Sequence, residues 1–484
     1  MNDVLKINER DNVAVALSDI AQGSSRSGTV LKDDIPGGHK FALEDIGKGE
    51  PVIKYGFQIG RASRSIKKGE WVHTHNLVTE LSGKEEYSYS PSGEVTGPGR
   101  EAYFYGYRRK DGRAGIRNEI WIIPTVGCVS GIAKAIEKRM SGKADVIAFS
   151  HPYGCSQTGE DQINTRKLLA ALAAHPNAGG VLLLGLGCEN SGVDSIMGYI
   201  PGDRRDRIRT LVCQEAEDEI LEAERLISGL SELAALDKRE KIPVSELVLG
   251  LKCGGSDGLS GITANPVIGR LSDIVISSGG STILTEVPEM FGAETLLMER
   301  CISEDVFKKT VGMINGFKDY FIRNGQEIYE NPSPGNKKGG ITTLEEKSLG
   351  CTQKSGTARV KDVLSYAEPI KKKGLSLLYS PGNDLVSSTA LAASGAQIVV
   401  FSTGRGTPFS SPVPTVKISS NTKLFMNKSG WIDFNAGTVA EGRPIEDCAE
   451  ELFERILSYA SGEQTKSEKA GYKEMALFKN GVTL

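Results

Sequence analysis

The stretch Asp111-Gly-Arg-Ala-Gly-Ile-Arg-Asn118, followed shortly by Trp121-Ile-Ile-Pro-Thr-Val-Gly-Cys128, decides how this chain is read. It sets Arg108, Arg113 and Arg117 ahead of an apolar run that ends on a cysteine in a glycine turn. A guanidinium grips carboxylates in a bidentate fork, and a thiol in such a turn can bind metal or do redox chemistry. Similar turns recur at Gly154-Cys155-Ser156, Gly187-Cys188-Glu189, Cys253-Gly254-Gly255 and Gly350-Cys351-Thr352. Together they point to an enzyme acting on an acidic small molecule.

Outward from this stretch the pattern predicts a strand over 120–126, a helix over 130–140, a strand over 145–149, a helix over 161–174 and a strand over 180–186. A long acidic helix over 215–230 and a polar joint over 237–244 follow. Strand and helix in alternation mean parallel strands with crossover helices. Cys128, Cys155 and Cys188 then fall at carboxyl ends of strands, where open α/β sheets bind ligands. A second α/β region is expected over 246–484, with strands at 247–251, 273–277, 282–286, 375–379 and 397–402. The long polar segment 329–340 reads as a functional loop. At the front, short strand-like runs at 12–17, 39–43, 51–55 and 71–73 are separated by turns such as Pro36-Gly-Gly38. The phrases at 42–50 and 64–70 echo each other, which predicts a small β fold of pseudo-repeated hairpins over 1–83. Residues 84–106 read as a linker and 107–245 as the first α/β domain.

The 484 residues suffice for several cores. A net charge of −3 argues against a general nucleic-acid binder. No apolar run is long enough to span a bilayer, and no secretory leader opens the chain, so no membrane association is expected. Eight cysteines without a leader suggest reduced thiols in the cytoplasm rather than a disulfide framework.

Among the few histidines, His73 and His75 would share one face of a strand, and His39 could complete a transition-metal site with them. Two chance histidines on an exposed strand would give the same pattern. His151 opens the loop to Cys155, which places it near a site. The dispersed Gly-flanked thiols could converge on a mononuclear iron with mixed ligands or on an iron–sulfur cluster. The glycine turns at 253–258 and 403–406 lack nucleotide-binding spacing.

Several longer phrases carry a resemblance. The 111–118 motif, Pro124-Thr-Val-Gly-Cys128, Gly185-Leu-Gly-Cys-Glu189, Cys253-Gly-Gly-Ser-Asp257, Thr263-Ala-Asn-Pro266 and Phe401-Ser-Thr-Gly-Arg-Gly-Thr407 resemble the altronate/galactarate dehydratase family. Glu330-Asn-Pro-Ser-Pro-Gly335 and Gly350-Cys-Thr-Gln-Lys354 lean towards its altronate-dehydrating members. The front unit, with Gly38-His-Lys40 and Tyr55-Gly-Phe-Gln-Ile-Gly60, is similar to the family's small β-clip (SAF-type) domain. The resemblance therefore implies an α/β multidomain protein with that front domain and two mainly parallel α/β regions.

It also implies a reaction, loss of water from D-altronate to give 2-dehydro-3-deoxy-D-gluconate in hexuronate breakdown. The family is associated with Fe(II), and Mn(II) is a possible substitute. The C2 proton lies alpha to a carboxylate, so cations must neutralise that group as the proton leaves. On this basis His39, Lys40, His151 and Cys155 are expected as catalytic residues. His73, His75, Cys128, Cys188 and Cys253 are expected as metal ligands. Arg113, Arg117, Asn118, Ser256, Asp257 and Asn265 are expected to bind substrate. Dehydration of galactarate or another 2-hydroxy acid, and a non-catalytic carbohydrate-binding role, stay open as alternatives. So does the oligomeric state, a homo-oligomer included.

Overall fold

The computed structural model describes residues 3–92, 97 and 99–483; residues 93–96 and 98 of the expected linker, and Leu484, lie outside the described residues. The front of the chain folds into small antiparallel sheets. One pairs Val4–Leu5, Val13–Ala16, Lys40–Ala42 and Trp71–Val72 in that order, and another pairs Pro51–Lys54, Phe57–Ala62 and Leu77–Val78. The echoing phrases at 42–50 and 64–70 meet in space, where Ile46 and Ile66 exchange backbone hydrogen bonds of 2.8 Å. Ile20 and Ile35 make a second bridge of the same kind. The repeat in the sequence is thus a pairing device.

The middle region is built on a four-stranded parallel sheet in the order Val146–Ala148, Glu119–Pro124, Ala178–Gly185, Ile208–Val212. Ser130–Met140 and Gly159–Ala173 are the crossover helices, close to the expected spans. All eight residues of Ala178–Gly185 are buried, as a parallel strand covered on both faces requires. The expected polar joint over 237–244 is instead partly a strand, Glu240–Pro243, antiparallel to Tyr103–Arg108. Lys241 and Glu240 point to solvent and mask the pairing in the sequence.

The last region carries a seven-stranded, wholly parallel sheet: Val360–Leu364, Gly374–Leu378, Ser281–Leu284, Val248–Cys253, Ile398–Thr403, Thr415–Ser419, Phe434–Asn435. The chain winds out from Val248–Cys253 first to one side and then to the other. That strand is a topological switch point, and a crevice opens at its carboxyl end. The expected strand at 273–277 is corrected by the structure, being the last turns of the helix Ala264–Ser277. A β-branched run buried on one side reads alike in either state.

The two α/β regions share one apolar core, which runs from Trp121 and Leu168 to Leu271, Phe401 and Phe478. Polar clamps fasten the same seam. Arg117, expected to hold substrate, spends all its donors on protein. It pairs with both Glu468 carboxylate oxygens (2.7 and 2.9 Å) and donates to the carbonyls of Ile116, Tyr459 and Glu463. Nothing remains for a ligand, so Arg117 is a structural clamp on the segment near 468. Asn118 joins the same framework, accepting from Arg109 and donating to the Ala234 carbonyl. Breaking a buried pair strands its partner's charge. Arg117→Met is therefore expected to cost about 3–5 kcal/mol in urea unfolding. A loss below about 1 kcal/mol, the range of an exposed pair, would show that the clamp is not needed.

Candidate functional site

The nine-residue helix Leu344–Thr352 organises the site, and every residue in it is buried. Thr343 caps it, its hydroxyl accepting from the Glu346 N–H. Successive side chains then reach different parts of the molecule. Glu345 accepts from Thr79 and the Glu80 N–H of the front domain. Glu346 lies between Lys40 and Lys54, each 2.8 Å away and each, like the glutamate, 1% exposed. Lys347 turns the other way and pairs with Glu289 at 2.8 Å. Cys351, one turn on, reaches Cys253.

Two lysines and one carboxylate leave a surplus positive charge in a dry site. Burial by itself would raise the Glu346 carboxyl, but Lys40 and Lys54 hold it well below the usual carboxylate range. Burial pushes Lys40 down to about 8, because its share of one carboxylate offsets only part of the desolvation. Lys40 was expected to be catalytic. Its ammonium instead donates to Gly340 O, Thr342 Oγ1 and Glu346, so its three donors all serve to join domains.

The helix's far end meets the switch-point strand. Cys253 Sγ lies 3.4 Å from Cys351 Sγ, and both thiols reach Glu289 Oε2, at 3.0 and 3.2 Å. Lys354 donates to Cys253 Sγ at 2.8 Å, and Lys252 pairs with Glu286 and Asp384. Burial would raise the Glu289 carboxyl, yet Lys347, Lys252 and Lys354 hold it low. Among the described residues, Cys253, Glu289 and Cys351 are the group of three such donors close enough to share one metal ion. Two soft thiolates and a carboxylate suit a thiophilic divalent ion such as iron better than manganese. In the sequence Cys253 stands among the expected metal ligands and Cys351 only among the glycine-flanked thiols, while Glu289 gives no local signal.

A cleft of about 520 Å³ opens between the front and last domains, where the loop that begins at Cys253 reaches Asp257. The front domain supplies Ser18, Asp19 and Gly37, and the last domain supplies Asp257, Lys338, Gly404, Arg405 and Lys423. The backbones touch here. A Cβ on Gly258 would lie 1.9 Å from the Gly38 carbonyl oxygen, so only glycine permits this closure. Exposed Arg405, Lys338 and Lys423 make the cleft cationic. None of these three was foreseen, although Arg405 stood in the quoted 401–407 phrase. Asp257, expected to bind substrate, lines the cleft, but its carboxylate also ties down the floor, accepting from Ser260, Ser420 and Asn421. Ser256 Oγ is buried and has no partner. Asn265 is bonded to Gly350 O and the Ser402 hydroxyl inside the fold, and so is structural rather than substrate-facing.

The histidines gather at one edge of this cleft. His73 and His75 are not in a strand; residues 73–76 form a turn held by Asn76, which replaces the expected alternation. They nonetheless meet around Trp71. His73 stacks on its ring at 5.0 Å, and His39 and His75 approach the same ring at 5.4 Å. His39 Nδ1 accepts from the Trp71 indole (3.3 Å), and Nε2 faces Lys338 O (3.2 Å). That leaves His39 no free lone pair for a metal. Burial, and then the Lys40 charge, lower His73 to about 4, and its buried Nδ1 has no partner.

The remaining expected residues lie elsewhere. Arg113 pairs with Asp111 and donates to Ala174 O at the seam between the α/β regions. His151 is buried. Its Nε2 donates to Pro124 O (2.8 Å) and its Nδ1 accepts from the Tyr153 N–H (3.1 Å), so it braces a loop and has no nitrogen left for acid–base work. Cys128, Cys155 and Cys188 are exposed on the loops after three neighbouring strands of the middle sheet.

Comparison with known proteins agrees with this layout. The altronate/galactarate dehydratase SAF domain matches residues 2–80, the second domain of D-galactarate dehydratase/altronate hydrolase matches 106–235, and the C-terminal domain of D-galactarate/altronate dehydratase matches 244–483. The chain belongs to the altronate/galactarate dehydratase family. It is 51% identical to the altronate dehydratase of Bacillus subtilis (strain 168) over 497 residues, covering 100% of both chains. It is 51% identical to that of Escherichia coli (strain K12) over 492 residues, 99% of each. It is 34% identical to the galactarate dehydratase (L-threo-forming) of Escherichia coli over 507 residues, 98% of this chain and 96% of that one. As a member of this family the chain is a dehydratase, a hydro-lyase. Among the described residues no helix is long and apolar enough to cross a membrane.

The buried histidine of the middle domain makes one property testable. Burial lowers His151 to about 4, so the unfolded chain takes up this proton near pH 6.5 while the folded chain refuses it until much lower pH. The stabilisation is complete above pH 6.5 and is lost as the pH falls through 4, about 3 kcal/mol in all. Urea midpoints measured from pH 7 to 4 should fall less steeply for His151→Asn than for the native chain. Parallel slopes would show that His151 is not held neutral.

Proposed function

We propose that the chain dehydrates D-altronate in the cationic cleft between its front and last domains, giving 2-dehydro-3-deoxy-D-gluconate. The likeness to two altronate dehydratases over essentially their whole length supports this substrate over galactarate, whose dehydratase is more distant. The cleft supplies what the reaction requires. Arg405, with Lys338 and Lys423 nearby, would hold the substrate carboxylate and lower the cost of charge building up on it as the C2 proton leaves. Its guanidinium already donates to Gly335 O (2.7 Å), which orients it.

The proton acceptor belongs to the histidine group at the cleft edge. Burial lowers both His39 and His73, so both are neutral at pH 7. His73 Nδ1 is buried and unpartnered, so its lone pair is committed to no protein group. Iron fits Cys253, Glu289 and Cys351, and when bound there it would supply Lewis acidity near the loop that begins at Cys253. The substrate is a small sugar acid, and the unbridged cysteines accord with a cytoplasmic setting.

Anaerobic assay of the purified chain with D-altronate and ferrous ion should yield the 2-keto-3-deoxy acid. Arg405→Ala should lose about 1.5–3 kcal/mol of transition-state binding, a fall of roughly 10- to 100-fold in kcat/KM. Turnover of galactarate alone would move the substrate assignment. Silence on both acids, with binding retained, would favour a carbohydrate-binding role.

A further inference from the structure

The middle domain contains a constructed surface that the cleft chemistry does not use. Its sheet places 146–148, 119–124 and 178–185 side by side, and the loop after each carries one exposed cysteine: Cys155, Cys128 and Cys188. The other five cysteines are buried or half-buried. The three loops are bonded to one another. Gly127 N–H donates to Tyr153 O (2.8 Å), Ser191 N–H donates to Gly154 O (3.0 Å), and Thr125 Oγ1 donates to Glu189 (2.6 Å). Asn190, two residues after Cys188, has its side-chain oxygen 3.5 Å from Cys155 Sγ. Arg166 fastens the Asn190 carbonyl.

Buried polar groups serve these loops. His151 ties the end of one strand to the cysteine loop of the next, and Gly154 is pressed so close that a Cβ would lie 2.1 Å from Thr125 O. Ser156, beside Cys155, holds a φ of 56°, which costs a non-glycine residue energy. The buried Gln157 Nε2 and Ser191 Oγ have no partner at all. A natural fold leaves few such donors unmet unless something absent from the protein meets them. So much fixed polar structure beneath three outward thiols calls for a ligand that binds thiols.

We propose that Cys128, Cys155 and Cys188 are three ligands of an iron–sulfur cluster. The three thiols are not within the reach of one ion, because they do not form a group whose donor atoms lie within 4.8 Å of one another. A cluster would place each thiolate on a different iron and so span a wider triangle, and Gln157 Nε2 and Ser191 Oγ, in the loops that carry Cys155 and Cys188, are unmet donors that its sulfides would satisfy. On binding, each thiol gives its proton to solvent and its sulfur lone pair to iron. With three protein ligands, one iron is left open to a small oxygen ligand. This site is separate from the buried Cys253–Glu289–Cys351 set.

The full chain, purified without oxygen and reconstituted with equal amounts of ferrous and ferric iron and inorganic sulfide, should retain iron and sulfide after desalting and show the visible charge-transfer band of a cluster. The triple variant Cys128→Ser/Cys155→Ser/Cys188→Ser should lose bound sulfide by more than about tenfold. Cys213→Ser and Cys253→Ala should keep it. Alkylation read by mass spectrometry should modify these three thiols in the apo chain and spare them after reconstitution. Iron retained without sulfide, or equal sulfide in the triple variant with unchanged circular dichroism, would overturn the cluster. Loss of iron alone in Cys253→Ala would concern the buried set and leave this assignment standing.

Discussion

Glu346 between Lys40 and Lys54 is the interaction on which the arrangement of this molecule depends. A carboxylate so fully buried is tolerable only where cations surround it, and both cations come from the front domain. The pairing therefore fixes where that domain can sit. Burial chiefly keeps His39 and His73 neutral, and the surplus positive charge, which lies beside the histidine edge and which burial relieves by lowering Lys40, acts in the same direction. The same electrostatic constraint thus sets the geometry of the domain junction and adds to the effect of burial on the groups nearest the cleft.

The helix Leu344–Thr352 extends that constraint across the molecule. Its first turn addresses the front domain through Glu345 and Glu346, and its side facing the large sheet addresses the switch point through Lys347 and Cys351. Apolar packing follows the same route. Leu349 joins a cluster with Val13, Val52 and Ile59 of the front domain, while Leu344 lies in the main core. A cleft whose walls belong to different domains is held open and aligned by a few buried residues on one short helix.

Much of this was legible in the sequence, and for physical reasons. The parallel sheets announced themselves through apolar runs such as Trp121-Ile-Ile and Val181-Leu-Leu-Leu, because strands buried on both faces need little polar surface. The cysteine turns were legible because glycine marks where backbone approaches backbone. Arg117 and Asn118 misled because a guanidinium in a glycine-rich motif looks the same whether it awaits a substrate or clamps Glu468, 351 residues away. Glu289, Glu346 and Lys54 could not be found from local pattern at all. A buried charge is specified by a partner distant in sequence, and sequence spacing does not record that distance. The histidine pair misled through its context, since Asn76 turns the chain where alternation would have continued the strand.

The clamp at Arg117 also has a consequence for the order of synthesis. Arg117 finds its counter-charge in Glu468, Glu119 is paired by Lys473, and Asp161 accepts the backbone N–H groups of Asn480 and Gly481. All three recipients belong to the middle domain, and all their partners leave the ribosome some three hundred residues later. Until then Arg117, Glu119 and Asp161 lack these partners at the seam. The seam face of the middle domain therefore stays open to water until the segment around 468–481 docks on it.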